Sequence, residues 1–336
     1  MKNYIQKVIE GKNLTTAEAK AAMDIIMSGK ATEAQIGAYL TALRMKGESV
    51  DEITGSAQGM RAKCLKLKAD GEVLDIVGTG GDCTNTFNVS TVSAFIIAAA
   101  GVQVAKHGNR SVSSKCGSAD VLEALGVKLN LTKEQNEEVL KQTGMCFMFA
   151  QVYHNAMKYV AKPRKELGIR TIFNILGPLA NPAFATLQVM GVYCDEMVEP
   201  MAKVLRNLGV KRALVVHGAD GVDEVSICAK TKVSEVRNGE IRNGEIDPEA
   251  LGFKLAKPEE IKGGEAEENK EIALSILNGE KGAKRDMVLI NSAAALYIAL
   301  EDKTLEECVK LADDMIDSGK AAEKLKVFAA ATQAFN

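Results

Sequence analysis

The first sixty residues repeat one local grammar: a small hydroxyl residue, an acidic or amide residue three positions on, then apolar residues at helical spacing. Thr15-x-x-Glu18, Thr32-x-x-Gln35 and Ser49-x-x-Glu52 are capping boxes, in which each end of the motif satisfies an orphan amide donor of the other. The segment is therefore expected to be helical throughout. Behind the second box, Ile36, Tyr39, Leu40 and Leu43 recur at intervals of three and four. That stripe suits another helix or another subunit, with intramolecular core the commoner fate.

The pattern changes near Asp70-Gly71. Val73 to Val77 reads as a short buried strand running into Gly78-Thr79-Gly80-Gly81-Asp82. Helix and strand then alternate: helix 91–100, strand 102–105, helix 118–125, a capped helix 132–142 and strand 146–149. Residues 164–182, punctuated by Gly168, Gly177, Pro178 and Pro182, read as a loop with short helical pieces packed beside the N-terminal helices. Strand 189–193, helix 198–208 and strand 213–217 follow. Asn238-Gly239 and Asn243-Gly244 are turn signals, and 272–334 reads as successive helices. Strands separated by helices need crossover connections, so the fold class expected is α/β, with a mainly parallel central sheet flanked by helices plus a smaller all-helical domain.

The 336 residues are 46% hydrophobic and 26% charged, with 42 basic against 44 acidic side chains. This is the balance of an ordinary globular protein and excludes a wholly disordered chain. A net charge of −2 gives no overall field for a polyanion, which argues against nucleic-acid and anionic-membrane partners. Seven scattered cysteines without C-x-x-C spacing read as reduced thiols rather than disulfides or zinc ligands. No signal-peptide core and no run of ~18 uncharged apolar residues is present, so a cytoplasmic location is expected.

Three polar clusters fall at strand ends, where loops and helix N-termini of parallel sheets converge. The first is Gly78 to Asp82 followed by Asn85-Thr86-Phe87-Asn88-Val89-Ser90-Thr91. Its glycines let the backbone close on phosphate oxygens, although it is neither a P-loop nor G-x-G-x-x-G, and alone it would be a plain tight turn. The second, Lys106-His107-Gly108-Asn109-Arg110 through Ser118, puts three cations, one histidine and four serines within thirteen residues; such density suits a polyphosphate or, equally on charge alone, a solvated basic loop. The third is the pair Asp223-Glu224. Adjacent carboxylates repel unless a cation offsets them, and hard oxygens beside phosphates suit Mg²⁺; the bland reading is a solvated acidic turn.

These clusters, together with Gly117-Ser118-Ala119-Asp120 and Arg170-Thr171-Ile172-Phe173-Asn174-Ile175-Leu176-Gly177-Pro178-Leu179, stand in one order along nearly the whole chain. In that order they resemble the anthranilate phosphoribosyltransferase family, within the nucleoside phosphorylase and phosphoribosyltransferase superfamily. The resemblance implies a discontinuous helical domain, 1–68 with 162–187, through which members pair as homodimers, and an α/β domain, 69–161 with 188–336. It implies that Gly78, Gly81, Asp82, Thr86, Asn88, Ser90, Thr91, Lys106, Ser114 and Ser118 hold phosphoribosyl pyrophosphate, with Val89, Gly108 and Arg110 in the same substrate-contacting loops. Ser90, Asp223 and Glu224 would coordinate Mg²⁺. Asn109 and Arg164 would meet anthranilate, His107, His154, Gly177 and Pro178 would line its approach, and Lys106, Asn109 and Arg164 would carry the chemistry. Cys83 and Cys116 stand where the family often has Gly and Ser, and Asn155 where Pro is frequent.

The reaction so implied breaks a C1–O bond to a polyanionic leaving group, so stabilising charge on pyrophosphate should matter more than activating a neutral aromatic amine. No general base is assigned. Two alternatives use the same residues: a pyrimidine nucleoside phosphorylase, which would consume inorganic phosphate, and a non-catalytic relative binding nucleic acid through Lys106, Arg110 and Lys115, which would need a broad basic face.

Overall fold

The computed structural model describes residues 1–111 and 115–335. All three N-terminal capping boxes close as the spacing predicts, starting helices Thr16–Met27, Glu33–Lys46 and Val50–Ala62 after a first helix Lys2–Ile9. Each such cap contributes about 1 kcal/mol. In the third box the N3 residue does more than cap: the Glu52 carboxylate, fully buried, accepts from the Ser49 and Leu14 amides and from Lys46. It thereby ties the start of one helix to the loop before another.

Seven strands form one sheet: β1 Leu74–Gly78, β2 Val104–Gly108, β3 Met145–Phe149, β4 Leu187–Gly191, β5 Arg212–Gly218, β6 Thr231–Arg237 and β7 Glu240–Ile246, in the order β3-β2-β1-β4-β5-β6-β7. The first five are parallel and β6 and β7 antiparallel, in keeping with the expected α/β class. Strand order reverses between β1 and β4, so the crossovers on the two sides run outward in opposite directions. In open parallel sheets ligands bind at such a reversal, beyond the C-terminal ends of the strands.

Two sequence expectations change. Asn238-Gly239 is the β6–β7 turn, both residues left-handed (φ 53 and 79) as a primed hairpin turn requires. Asn243-Gly244, by contrast, lies inside β7, where Asn243 pairs with Ser234 and its amide reaches Glu199 at 3.2 Å; cross-strand partners outweigh the local turn preference. Arg164 is not in a loop either. It lies on a regular helix, Lys158–Leu167, which Gly168 ends with a left-handed φ of 61.

That helix packs on Glu33–Lys46, and the following helix Phe173–Leu179 packs on Val50–Ala62, so 164–182 does lie beside the N-terminal helices. One apolar cluster joins the N-terminal helices to Val160, Phe173, Leu176 and the helix Val198–Asn207 on one sheet face. A second covers the other face, where the C-terminal helices Ala283–Ala299 and Lys320–Gln333 press on helix Val89–Ala99. No disulfide joins the cysteines, four of which are buried while Cys83 is exposed. Among the described residues no helix is long and apolar enough to cross a membrane.

Candidate active site

The glycine loop leaves β1 where β1 and β4 lie in register, Gly78 beside Gly191. Thr79 N–H donates to the Gly191 carbonyl at 3.0 Å, and Gly80 N–H to Asp223 Oδ2 at 2.6 Å. Asp223 fits there because both strand-end residues lack a side chain: a Cβ on Gly78 would lie 2.3 Å from Asp223 Oδ2, and one on Gly191 1.5 Å from its carbonyl oxygen. Gly80 and Gly81 are both left-handed (φ 67 and 75). The N–H groups of Gly81 and Asp82 bond to no protein acceptor among the described residues. Consecutive amides presented in this way make an anion-binding concavity. Cys83, where glycine is frequent in the resembled family, also adopts a left-handed φ of 61, a conformation costly for a residue with a side chain.

Thr86 forms an isolated bridge with Lys262. The Asn88 amide donates to the Cys116 carbonyl at 3.2 Å and accepts from Asn269 at 3.0 Å; it joins the first cluster to the second. Val89 is buried in the core. Ser90 and Thr91 occupy the first turn of the helix that follows, and the buried Thr91 hydroxyl has no partner among the described residues.

Lys106 is not part of an open basic loop. It lies within β2, 1% exposed, and its Nζ donates to the Ile76 carbonyl at 2.5 Å and to Ser90 Oγ at 3.1 Å. An ammonium has three protons, so one remains for a ligand. Burial pushes the Lys106 pKa down, while Asp75 and Glu224 oppose that shift. Gly108, Asn109 and Ser118 meet at the β2 end: Ser118 Oγ donates to the Asn109 carbonyl at 3.3 Å, and a Cβ on Gly108 would lie 2.2 Å from that hydroxyl oxygen. The exposed Arg110 is engaged by Asp120 and Glu123 at 2.8 and 2.9 Å. Ser114 lies outside the described residues.

Glu224 lies close enough to the Ser90 amide, Lys106 and Asp223 for each to act on its ionisation. The carboxyl pKa values of both Asp223 and Glu224 are raised, first by burial and then by neighbouring carboxylates: Asp82 acts on Asp223, and Asp223 on Glu224. A divalent cation would relieve that repulsion, so the donor set fits one. No group of three or more His, Cys, Asp or Glu side chains is placed to hold a metal among the described residues. Mg²⁺ takes one or two carboxylates and fills its remaining positions with water and phosphate oxygens, so an Asp-Glu pair beside a phosphate site fits it.

On the opposite wall His107 and His154 lie with ring centroids 5.0 Å apart, both buried. Desolvation lowers their pKa values to about 3 and about 4, against weaker opposing hydrogen bonds to the Gly177 and Ala180 backbones. Both rings are therefore neutral at pH 7, with Nε2 unpartnered among the described residues. Arg164 lies 5.4 Å from the Phe173 ring centroid and has no ion-pair partner among the described residues. Burial lowers its pKa. Among the described residues no side-chain hydrogen bond or ion pair joins Arg164 to the three loops, whereas the Gly177 backbone acts on His107.

The chain matches the model of the glycosyl transferase family, helical bundle domain, over residues 2–64 and that of the glycosyl transferase family, a/b domain, over residues 70–322. It is 58% identical over 328 residues to the anthranilate phosphoribosyltransferase of Endomicrobium trichonymphae, covering 98% of each chain. The chain belongs to the anthranilate phosphoribosyltransferase family. Among solved family structures, that from Thermus thermophilus superposes with a TM-score of 0.93 at 42% identity, covering 98% of this chain and 99% of the other. The Saccharomyces cerevisiae enzyme in complex with phosphoribosyl pyrophosphate and Mg gives 0.90 at 27% identity, covering 99% and 98%.

Three residues beside the candidate site have no role assigned from sequence, although Arg170 heads one of the motifs that carry the resemblance. Gly191 carries a signal, a glycine at the end of a buried strand. Asp75, wholly buried, accepts from the His107 amide at 3.2 Å and from Asn181 at 2.7 Å, so it fixes the strand that carries Lys106 and His107. Burial raises its pKa to about 6 against the attraction of Lys106. Arg170 donates to the Gly81 carbonyl and lies 4.4 Å from the Tyr193 ring centroid.

Proposed function

We propose that this chain transfers the phosphoribosyl group of phosphoribosyl pyrophosphate to the amine of anthranilate, giving N-(5-phosphoribosyl)anthranilate and pyrophosphate for tryptophan biosynthesis. The observation that carries the reading is the convergence of the Gly78–Asp82 loop, Lys106 and the Asp223-Glu224 pair at the β1/β4 reversal, in a chain so similar to members of this family.

The difficult event is departure of diphosphate from C1. The Gly81 and Asp82 amides and the third Lys106 proton are fixed before the substrate arrives, so they stabilise developing charge without reorganising. Thr86, Asn88, Ser90, Thr91, Gly108 and Ser118 complete the walls of the phosphoribosyl site, in part by holding one loop against another, and the resemblance assigns Ser114 to the same substrate. Ser90, Asp223 and Glu224 would hold Mg²⁺, which when bound neutralises diphosphate charge. Arg164, lacking a carboxylate of its own among the described residues, pairs with that of anthranilate, and Asn109 helps to place the amine below C1; holding the two reactants in this way supplies acceleration through proximity. His107, His154, Gly177 and Pro178 line the acceptor side. The two neutral imidazoles exclude water and add no cationic charge to that side.

In this reading residues 1–68 with 162–187 form the helical domain and 69–161 with 188–336 the α/β domain, and two copies pair through the helical one. Apolar Ile9 and Met45, 63% and 84% exposed on that segment, support the pairing. Seven cysteines without a disulfide support a cytoplasmic location. Loss of anthranilate fluorescence that requires both phosphoribosyl pyrophosphate and Mg²⁺ tests the activity; no loss, or consumption of inorganic phosphate with a nucleoside instead, would overturn it.

A further inference from the structure

Three successive residues of the glycine loop are pinned through their backbone, each by a different part of the chain. Thr79 N–H is held by Gly191 at the end of β4, Gly80 N–H by Asp223 after β5, and the Gly81 carbonyl by the guanidinium of Arg170. The third pin has a distinct origin. Arg170 lies between helices Lys158–Leu167 and Phe173–Leu179, in the segment that carries Arg164 and Gly177. Among the described residues it makes the only hydrogen bond between residues 162–187 and the loop 78–91. The Tyr193 ring, 4.4 Å from the guanidinium carbon, orients the fork, and no carboxylate within the described residues competes for it.

We infer that Arg170 is a positioning residue for phosphoribosyl pyrophosphate, acting through the Gly81–Asp82 peptide. In a trans peptide the carbonyl and the following N–H point in opposite directions. Holding the Gly81 carbonyl on Arg170 therefore turns the Asp82 N–H to the far side of the loop, and that N–H has no protein acceptor among the described residues. Gly81 is left-handed and without a side chain, and apart from Arg170 only the Cys83 thiol, at 3.7 Å, reaches its carbonyl among the described residues, a weak donor that does little to oppose rotation of this peptide. Without the guanidinium the loop would sample both orientations, and substrate binding would have to bear the cost of selecting one. This inference rests on the proposed placement of phosphoribosyl pyrophosphate on that loop.

Steady-state kinetics of Arg170→Ala, Arg170→Lys and Tyr193→Leu, with calorimetric titration of phosphoribosyl pyrophosphate in the presence of Mg²⁺, test it. In Arg170→Ala the KM and Kd for phosphoribosyl pyrophosphate should rise roughly tenfold, the order of one hydrogen bond to a charged group, while the anthranilate KM moves by less than about twofold. Lysine, which can still donate to the carbonyl but cannot stack as a planar fork, should restore part of the affinity. Tyr193→Leu should fall between wild type and Arg170→Ala. Because Arg170 is exposed, the thermal midpoint should hardly change. An unchanged phosphoribosyl pyrophosphate KM in Arg170→Ala, equal rises in both KM values, or a lysine variant no better than alanine would each overturn the assignment. Inactive wild-type protein would instead overturn the proposed reaction, so the two failures are distinguishable.

Discussion

Gly191→Ala is the smallest change that loads the centre of the proposed site. The position is not left-handed, so alanine is acceptable to the backbone there and only its neighbours object. An ideal Cβ would lie 1.5 Å from the Asp223 carbonyl oxygen and 2.3 Å from its carbonyl carbon. Neither atom is the end of a flexible side chain, so ordinary contact requires one backbone to retreat by roughly 2 Å. Overpacking of this kind costs about 1–3 kcal/mol of stability. The catalytic effect should be larger, because the same shift pulls Asp223 from the Gly80 amide and Glu224 from Ser90. A misplacement of about 1 Å near reacting groups can cost about a hundredfold in rate, so kcat/KM should fall by at least that factor. Anthranilate fluorescence gives the rate and urea titration the stability. Gly37→Ala is the control: Gly37 lies in helix Glu33–Lys46 with nothing within 4 Å of an added Cβ, and the change should stabilise by about 0.5–1 kcal/mol without altering turnover. Wild-type kcat/KM in Gly191→Ala would refute the claim that Asp223 must sit against the β1 and β4 ends.

The acidic pair should be separable from the fold: Asp223→Asn with Glu224→Gln should lower turnover by about a hundredfold or more and move the Mg²⁺ titration midpoint, and an unchanged magnesium curve would rule out the metal role. Arg164→Ala should raise the anthranilate KM by roughly tenfold or more, in line with loss of a charge-assisted pair; an effect confined to phosphoribosyl pyrophosphate would contradict its assignment. His107 and His154 give a pH signature. Their folded pKa values, about 3 and about 4, lie below the unfolded value of roughly 6.5, so below that pH the unfolded chain binds more protons. Stability is then complete above pH ~6.5 and falls by about 1.4 kcal/mol per pH unit per histidine as pH drops toward the folded values. Urea midpoints between pH 7 and 5 should show this slope. His107→Gln with His154→Gln should flatten it, and an equally steep acid loss in that variant would exclude the histidines as its source.

What sequence makes legible follows the range of the interactions involved. Capping boxes such as Thr32–Gln35 and Thr132–Gln135 are closed within four residues, so spacing alone locates them. The parallel sheet is legible because apolar runs and intervening helices leave few other connections. Asn243-Gly244 misleads for the opposite reason: its conformation is decided by Ser234 across the hairpin and by Glu199, both distant in sequence. Lys106 is legible as a phosphate-site cation, but its burial is not, since that depends on Ile76 and Ser90 rising beside it from another strand and helix. Arg170 stands out in sequence as the head of the Arg170–Leu179 motif, but its role does not, because its partner is a backbone carbonyl 89 residues away.

The reversal of strand order explains why these long-range contacts gather at one point. Between β1 and β4 no crossover helix covers the strand ends, and the loop after β5 can lean across them only if the last residues of both strands are glycine. Gly78 and Gly191 meet that condition, and Asp223 occupies the space they leave. Asp223 then holds the Gly80 amide, and the adjacent Glu224 reaches Ser90 at the start of the next helix. One carboxylate thus holds the start of the Gly80–Ser90 loop and its neighbour lies by the loop's end, and a cation would offset their repulsion. A bound divalent ion should therefore tighten the anion-binding loop as well as supply charge, and loading with Mg²⁺ alone should slow amide hydrogen exchange across residues 79–90. Exchange that stays the same until phosphoribosyl pyrophosphate is added would show that the carboxylates set the loop without the metal.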